Sequence, residues 1–252
     1  MSGPLESATA IHRRVLAHLL ARIRAATVCD EPFTHTCLHD MFPADIYVAF
    51  LANLPPADQY GTGPDGPRTR TFYNLTAGGV RRLPDGGRRV WSGVAAALTD
   101  PELKRGLYAK LAPDLMHRFG VKEGRVHELA GHARPTLYRD VEGFELPPHP
   151  DTPKKVVTMH LYLPADLSQI YLGTALYRRT PGSSDAGDRF TAAKMVEFRP
   201  NSGYAFVVNN SGTRQSWHGR EPLPAGAGVR NSLLNTFYSE PRQGYADYLQ
   251  DG

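Results

Sequence analysis

The carboxyl-terminal half of the chain consists of short segments rich in β-branched and aromatic residues, separated by glycine, proline, asparagine and aspartate. Segments of this kind with turn residues between them predict β-strands. Several short strands at this spacing are typical of a sandwich or a jelly roll, which can hold a site between its two sheets. The predicted strands are residues 125–130, 134–139, 155–163, 173–177, 195–198, 203–208 and 230–238.

The amino-terminal part has the spacing of amphipathic helices. Apolar residues recur every three or four positions between residues 8 and 26, among them Ile11, Val15 and Ile23, which is the pattern of a helix with one buried face. A further helical region covers residues 90–119. It is interrupted before Pro101, where Asp100 is a suitable N-cap for a new helix that has proline at its first position.

Together these patterns predict an α+β protein. We expect a single domain over residues 1–252, since an all-β sandwich or barrel of this length is often one domain. Residues 1–120 would be a mainly helical buttress. Residues 121–240 would form a double-stranded β-helix, that is, a jelly-roll, cupin-like core.

Composition and charge exclude several classes of function. The chain is 41% hydrophobic and 21% charged, as in ordinary soluble globular proteins. A net charge of +4 carried by scattered basic pairs does not form the stripe or module that nucleic-acid binding requires, so no nucleic-acid partner is expected. No apolar run approaches the roughly 20 residues of a membrane span. The first six residues do not resemble a secretory signal, so we expect a cytoplasmic protein without a membrane partner.

One motif carries the chemistry in the strand-rich half. His149 and Asp151 are two residues apart, so on an extended backbone their side chains project to the same side. A second imidazole, from His218 in the sequence Ser-Trp-His-Gly, would complete a set of two histidines and one carboxylate. Such a set leaves one face of an octahedral Fe(II) open for substrate and oxygen. Taken alone, the His-x-Asp pair is better explained by the end of a proline-rich loop and a capped turn, and only the residues that follow favour a metal site.

A carboxylate-binding pair follows twelve residues after His218. Arg230 and Ser232 lie on the same face of a predicted strand, because side chains alternate along an extended chain. A guanidinium fork and a hydroxyl suit the far carboxylate of a dicarboxylate, since arginine pairs with carboxylates in a planar, bidentate manner. A surface ion pair is the commoner use of an arginine. The apolar strand that follows favours a buried partner.

These motifs, His149-Pro150-Asp151, His218 and Arg230-x-Ser232, resemble those of the Fe(II)- and 2-oxoglutarate-dependent oxygenases. The resemblance implies that the first three residues bind Fe(II). It also implies that Arg230 and Ser232 hold the 5-carboxylate of the co-substrate 2-oxoglutarate, and that O2 is consumed.

The same resemblance brings a strand that contains Tyr138, Arg139 and Asp140 alongside the pocket. Tyr138 is expected to bind co-substrate, and Arg139 and Asp140 are candidates for contact with substrate, although a role in a strand and turn fits them nearly as well. His160 is a rival ligand that we expect instead to line the pocket. Asn235 is a weaker substrate candidate.

The function implied is hydroxylation of a small polar molecule, such as an amino acid or a natural-product intermediate, with release of succinate and CO2. Related halogenases lack the carboxylate ligand, so Asp151 argues against halogenation. A protein-residue hydroxylase of the prolyl type is an alternative. A non-catalytic jelly-roll ligand-binding protein is another, and a nucleic-acid demethylase ranks behind these. The sequence leaves the oligomeric state open.

Overall fold

A computed structural model describes residues 6–63, 68–180, 182, 189–210, 212 and 214–243. The α-helices in these residues are α1 (Ala8–Ala25), α2 (Ala44–Leu51), α3 (Ala77–Arg81), α4 (Asp85–Thr99), α5 (Pro101–Lys110) and α6 (Ala112–Phe119). The strands are β1 (Val28–Cys29), β2 (His35–His39), β3 (Arg70–Asn74), β4 (His132–Asp140), β5 (Leu146–His149), β6 (Lys155–Tyr162), β7 (Thr174–Thr180), β8 (Arg189–Val196), β9 (Ser202–Val207), β10 (His218–Arg220) and β11 (Arg230–Tyr238).

The strands form two antiparallel sheets. The large sheet has the order β1-β2-β9-β6-β11-β4-β3, and the small sheet has the order β5-β10-β7-β8. Helices beside antiparallel sheets confirm the α+β prediction. Three strands of the large sheet, β1, β2 and β3, come from the first 120 residues, so that part of the chain supplies both edges of the sheet as well as the helices.

Strand β6 lies at the centre of the packing because both of its faces are buried. Val157, Met159 and Leu161 belong to the hydrophobic core between the large sheet and the helices. Tyr162 belongs to a second hydrophobic cluster, in which it joins residues of β7, β8 and β9. Since side chains alternate across a strand, His160 points to the same side as Tyr162. The large sheet therefore separates a helical layer from a space between the sheets.

The start of α5 agrees with its sequence signals. The side chain of Asp100 accepts a hydrogen bond from the backbone N–H of Glu102 at 2.8 Å, and Pro101 occupies the first turn of the helix. Helix α6 ends at Gly120, which has φ +63°. Glycine tolerates this left-handed conformation better than other residues because it has no Cβ.

The strand predicted at residues 125–130 is wrong. This segment forms a 3-10 helix, Glu123–Glu128, in which only Val126 is buried. Arg125 donates two hydrogen bonds to Glu128, three residues later. Residues three apart are neighbours on a helical surface but not on a strand, so this local ion pair favours the helical turn over the extended form.

None of the helices within the described residues is long and apolar enough to cross a membrane. This agrees with the absence of a long apolar run in the sequence.

Helix α4 is held to its surroundings by Trp91, which is fully buried and donates a hydrogen bond to the carbonyl of Asn53 at 2.7 Å. We expect Trp91→Ala to lower the free energy of unfolding by about 3–5 kcal/mol, because it leaves a large cavity and an unpaired carbonyl. Urea denaturation measures this loss. The control is Val48→Ala on α2, whose side chain is 65% exposed, and which should change stability by less than about 0.5 kcal/mol.

Candidate metal centre

Two histidines are placed opposite each other by strand pairing in the small sheet. His149 is the last residue of β5 and His218 is the first residue of β10, and they are direct partners in the antiparallel register. Their ring centroids are 4.4 Å apart. The two imidazoles are therefore neighbours because of the register, although 69 positions separate them in the sequence.

Asp151 reaches the histidines by a different route from the one that the sequence predicts. It lies beyond the end of β5 and has φ +62°, so the extended alternation expected for His149 and Asp151 is wrong. A left-handed residue turns the chain, and aspartate adopts this conformation more readily than most residues. The turned carboxylate receives hydrogen bonds from Lys155 Nζ and from Thr158 Oγ1, the latter at 3.1 Å.

Both histidines have their rings oriented in the same way. The Nδ1 atom of His149 lies 3.0 Å from the carbonyl oxygen of Pro147, and that of His218 lies 2.9 Å from the carbonyl oxygen of Ser216. Because a carbonyl only accepts, each Nδ1 carries the proton and donates it. Each neutral ring therefore presents the lone pair of Nε2, and metal-binding histidines are commonly fixed in this way.

The ionisation states also suit a cation. Burial lowers the pKa of His218 to about 4, although the charge of Asp151 acts in the opposite direction. Burial would raise the pKa of Asp151, but Lys155 and His218 outweigh this effect and hold that pKa below its ordinary value. At neutral pH the imidazole of His218 is therefore neutral and the carboxylate of Asp151 is ionised, as metal ligands must be.

These three side chains form a group whose ligand atoms all lie within 4.8 Å of one another. His149 Nε2 is 3.8 Å from one oxygen of Asp151, and His218 Nε2 is 3.9 Å from the other. The donor set, two imidazoles and one carboxylate, fits a divalent transition metal such as Fe(II). The residues present therefore fit the expected metal.

A cavity of about 220 Å³ opens onto these ligands. Its wall combines the two sheets. Tyr138, His160 and Arg230 contribute from the large sheet, and Arg220 contributes from the small one. The three ligands line the same cavity, so a bound metal would be accessible from it.

Arg230 also lines this cavity and is buried, with 2% of its surface exposed. Its Nη1 donates to Asp140 Oδ2 at 2.9 Å, and its Nε donates to the carbonyl of Leu172 at 2.8 Å. Asp140 also pairs with Arg70, whose Nε is 3.0 Å from its other oxygen. One buried carboxylate thus lies between two guanidinium groups: it orients Arg230 by a hydrogen bond and pairs with Arg70 through charge alone.

Several buried polar atoms near the cavity have no hydrogen-bond partner among the residues described. They are His160 Nε2, Arg220 Nε and Ser232 Oγ, together with Arg70 Nε and Asp140 Oδ1, which lie close enough for an ion pair but do not form a hydrogen bond. Burial lowers the pKa of His160 well below its ordinary value, so its ring is neutral. An unpaired buried polar group is costly, and a polar molecule in the cavity could partner such atoms.

Strand alternation decides which of the other predicted residues face the cavity. Tyr138 and Asp140 are the cross-strand partners of Ser232 and Arg230, so all four side chains project to the cavity face of the large sheet. The expectation that Arg139 and Asn235 also face substrate is wrong, because each lies one residue out of phase. Asn235 instead donates a hydrogen bond to the carbonyl of Leu98, on α4.

Three cationic residues of the cavity wall were not among the sequence predictions: Arg70, Lys155 and Arg220. Arg220 carries a usable signal, because it lies two residues after His218 and therefore on the same side of a strand. Lys155 is four residues beyond Asp151. Arg70 has no such signal, because only the pairing of β3 with β4 brings it to the site.

A substitution at Gly219, which lies between His218 and Arg220, can test whether the pairing of β5 with β10 sets the geometry of the metal ligands. A Cβ at this position would lie 2.5 Å from the carbonyl oxygen of Leu146 on β5. We expect Gly219→Ala to displace β5 from β10 and to weaken Fe(II) binding at least tenfold, a loss comparable with that of an outer-shell contact. Anaerobic Fe(II) titration measures it. Gly124→Ala is the control, since a Cβ there meets nothing within 4 Å.

Comparisons with known proteins agree with this architecture. Neither the protein-family models nor the curated proteins searched gave a match to the sequence. Among solved structures, a prolyl hydroxylase from Trichoplax adhaerens in complex with a hypoxia inducible factor peptide is similar at a TM-score of 0.52 and 12% identity, over 90% of each chain.

A prolyl-4-hydroxylase from Pseudomonas putida is similar at a TM-score of 0.50 and 14% identity, over 89% of this chain and 99% of that one. Such low identities establish the fold alone. The protein therefore shares the fold of these two hydroxylases.

Proposed function

We propose that this protein is a 2-oxoglutarate-dependent dioxygenase that hydroxylates a small, carboxylate-bearing molecule such as an amino acid or a natural-product intermediate. The observation that carries the proposal is the convergence of His149, Asp151 and His218 in the wall of a cavity that is also lined by a buried arginine, Arg230. The two facing antiparallel sheets support the assignment of the core as a double-stranded β-helix.

The three converging side chains would hold Fe(II). When bound, Fe(II) supplies the chemistry in which 2-oxoglutarate, O2 and substrate are converted to succinate, CO2 and hydroxylated product. The carbonyl contacts of His149 and His218 keep their Nε2 atoms unprotonated and directed at the ion. Lys155 and Thr158 fix both oxygens of Asp151, which limits rotation of the carboxylate away from the site.

Arg230 would bind the far carboxylate of 2-oxoglutarate. Its guanidinium is already oriented by Asp140, by the Leu172 carbonyl and by Thr174 Oγ1, so little side-chain entropy is lost on binding. Ser232, on the same strand face, offers a hydroxyl that makes no hydrogen bond within the described part of the chain. A buried arginine binds a carboxylate strongly because charge-assisted hydrogen bonds are strengthened away from water.

The charge around the cavity favours an anionic substrate. Four cationic side chains and two carboxylates surround it: Arg70, Lys155, Arg220, Arg230, Asp140 and Asp151. Fe(II) and dianionic 2-oxoglutarate would neutralise each other, which leaves the cationic excess for the substrate. Arg220 and Arg70 are the side chains proposed to receive a substrate carboxylate. The Nε of Arg220 has no hydrogen-bond partner among the residues that the structure describes, and the side chain of Arg70 is 21% exposed.

The decisive experiment has two stages. Anaerobic addition of Fe(II) and 2-oxoglutarate should produce a charge-transfer absorption band that needs both components. In air, succinate formation is then measured with a panel of small carboxylates and with proline-containing peptides. Stimulation by a free small carboxylate supports the proposal, whereas stimulation by peptides alone would assign a protein-residue hydroxylase. Absence of the band would reject the oxygenase assignment.

A further inference from the structure

A second cluster of metal-ligating side chains lies at one edge of the large sheet, and it contains both cysteines of the chain. Cys29 on β1 is the direct cross-strand partner of His35 on β2. Cys37 is two residues after His35, so it lies on the same face of β2. The ligand atoms of these three residues all lie within 4.8 Å of one another, and both cysteines are free thiols.

The ring of His35 is oriented as in the first metal centre. Its Nδ1 lies 2.8 Å from the carbonyl oxygen of Phe33, two residues earlier. His149 and His218 make the same contact, each with the carbonyl two residues before it. Since a carbonyl only accepts, Nδ1 of His35 carries the proton, and the lone pair of Nε2 points into the cluster. His35 itself is fully buried.

A cation already lies among these donors. Lys194, which reaches over from β8 in the small sheet, places its Nζ 2.9 Å from His35 Nε2 and 3.5 Å from Cys29 Sγ. The ammonium group donates to the lone pair of the imidazole and contacts a sulfur atom. The ammonium nitrogen therefore lies beside two of the three candidate ligand atoms.

We propose that Cys29, His35 and Cys37 form a second metal site, selective for a thiophilic divalent ion, namely Zn(II). Two thiolates and one imidazole are a frequent set of protein ligands for Zn(II), and they leave a fourth position for water. Thiolate ligands favour Zn(II), whereas two histidines and one carboxylate, as in the first centre, are the set typical of Fe(II). The two centres share no residue, so each can be loaded independently.

Zn(II) bound there would join β1, a strand of only two residues, to β2. It would also displace the ammonium group of Lys194, because both cations cannot occupy the same point. Binding is therefore expected to raise the thermal midpoint of unfolding, since a ligand that binds only the folded state stabilises it. It should protect both thiols from modification.

The test uses Co(II) as a spectroscopic substitute for Zn(II), on reduced protein in which two thiols have been counted by titration. A sulfur-to-metal charge-transfer band is specific for this centre, because the chain has no other cysteines and the first centre has no sulfur. We expect a band that saturates at one equivalent, disappears on addition of Zn(II), and persists in His218→Ala. Absence of the band in the reduced wild-type protein would overturn the proposal.

Variants assign the ligands. Cys29→Ser, Cys37→Ser and His35→Gln should each weaken Zn(II) binding, measured by competition with a chromogenic chelator, by more than about 100-fold, which exceeds the loss for an outer-shell contact. His39→Ala, on the same strand but exposed, is the matched control and should bind normally. Unchanged affinity in either cysteine variant would contradict the site.

Lys194→Leu provides a variant that keeps all three ligands and adds no new one. Without the ammonium group, Zn(II) no longer competes with a tethered cation, so we expect tighter binding and an undiminished Co(II) band. Weaker binding in Lys194→Leu would mean that the amine is itself a ligand, and would overturn the three-ligand assignment.

Discussion

His218→Ala is expected to abolish the 2-oxoglutarate-dependent formation of succinate. The imidazole of His218 is buried, neutral and oriented by the Ser216 carbonyl, so the variant loses an Nε2 that is already positioned to bind the metal. Loss of a direct ligand should lower Fe(II) affinity by more than the roughly 10- to 100-fold typical of outer-shell changes. Anaerobic Fe(II) titration and succinate measurement test the two effects separately.

A second ligand variant and a surface control make this result specific. Asp151→Ala should cause the same loss, because it removes the only carboxylate of the set. His117→Ala replaces an exposed histidine on α6 and should leave Fe(II) binding and turnover unchanged. Wild-type turnover by folded His218→Ala or Asp151→Ala protein would contradict the ligand assignment.

Arg230→Lys is expected to raise the KM for 2-oxoglutarate about 10- to 100-fold while Fe(II) affinity stays within about twofold. Lysine retains the positive charge but cannot form the planar, bidentate pair with a carboxylate. The loss of one charge-assisted hydrogen bond, about 1.5–3 kcal/mol, corresponds to a factor of this size. Steady-state kinetics with varied 2-oxoglutarate measure the change.

Lysine is chosen because Asp140 is fully buried and needs a cationic partner. Arg230→Ala would leave that carboxylate with Arg70 alone and risks loss of the fold, so thermal unfolding of each variant is measured in parallel. Arg139→Lys is the matched control. It changes the residue next to Asp140, on the opposite face of β4, and should leave the KM unchanged. An unchanged KM in Arg230→Lys would place the carboxylate site elsewhere, with Arg220 as the next candidate.

The long strands of the core are readable from the sequence. The predicted strand at residues 230–238 coincides with β11, and that at 155–163 differs from β6 by a single residue. Both are apolar on at least one face, and β-branched and aromatic residues are frequent in them, so local preference and burial act in the same direction. Helix α5 was equally clear, because Asp100 and Pro101 are strong start signals.

The strands that carry the two histidines of the candidate centre could not be recognised in the same way. Strand β5 contains two prolines, and β10 has only three residues. Proline removes a backbone donor and is confined to edges or bulges of a sheet. Consistent with this, β5 is an edge strand of the small sheet. Such short strands are held by tertiary pairing and not by local propensity.

By itself, the sequence determined the type of chemistry that the chain can carry. His149, Asp151, His218 and Arg230 are recognisable because their side chains are of the kinds that bind a metal ion and a carboxylate, and because they occur in a characteristic order. Their side-chain chemistry does not depend on how the backbone brings them together.

Only the tertiary structure decided which side chains share a site. Tyr138 and Asp140 face the cavity, whereas Arg139 and Asn235 face away from it. Arg70 reaches the site because β3 pairs with β4. Cys29, His35 and Cys37 lie together at the edge of the large sheet, next to Lys194. The physical reason is register, since a shift of one residue moves a side chain to the opposite face of a sheet. Pairing between strands far apart in the sequence fixes that register, and no local pattern specifies it.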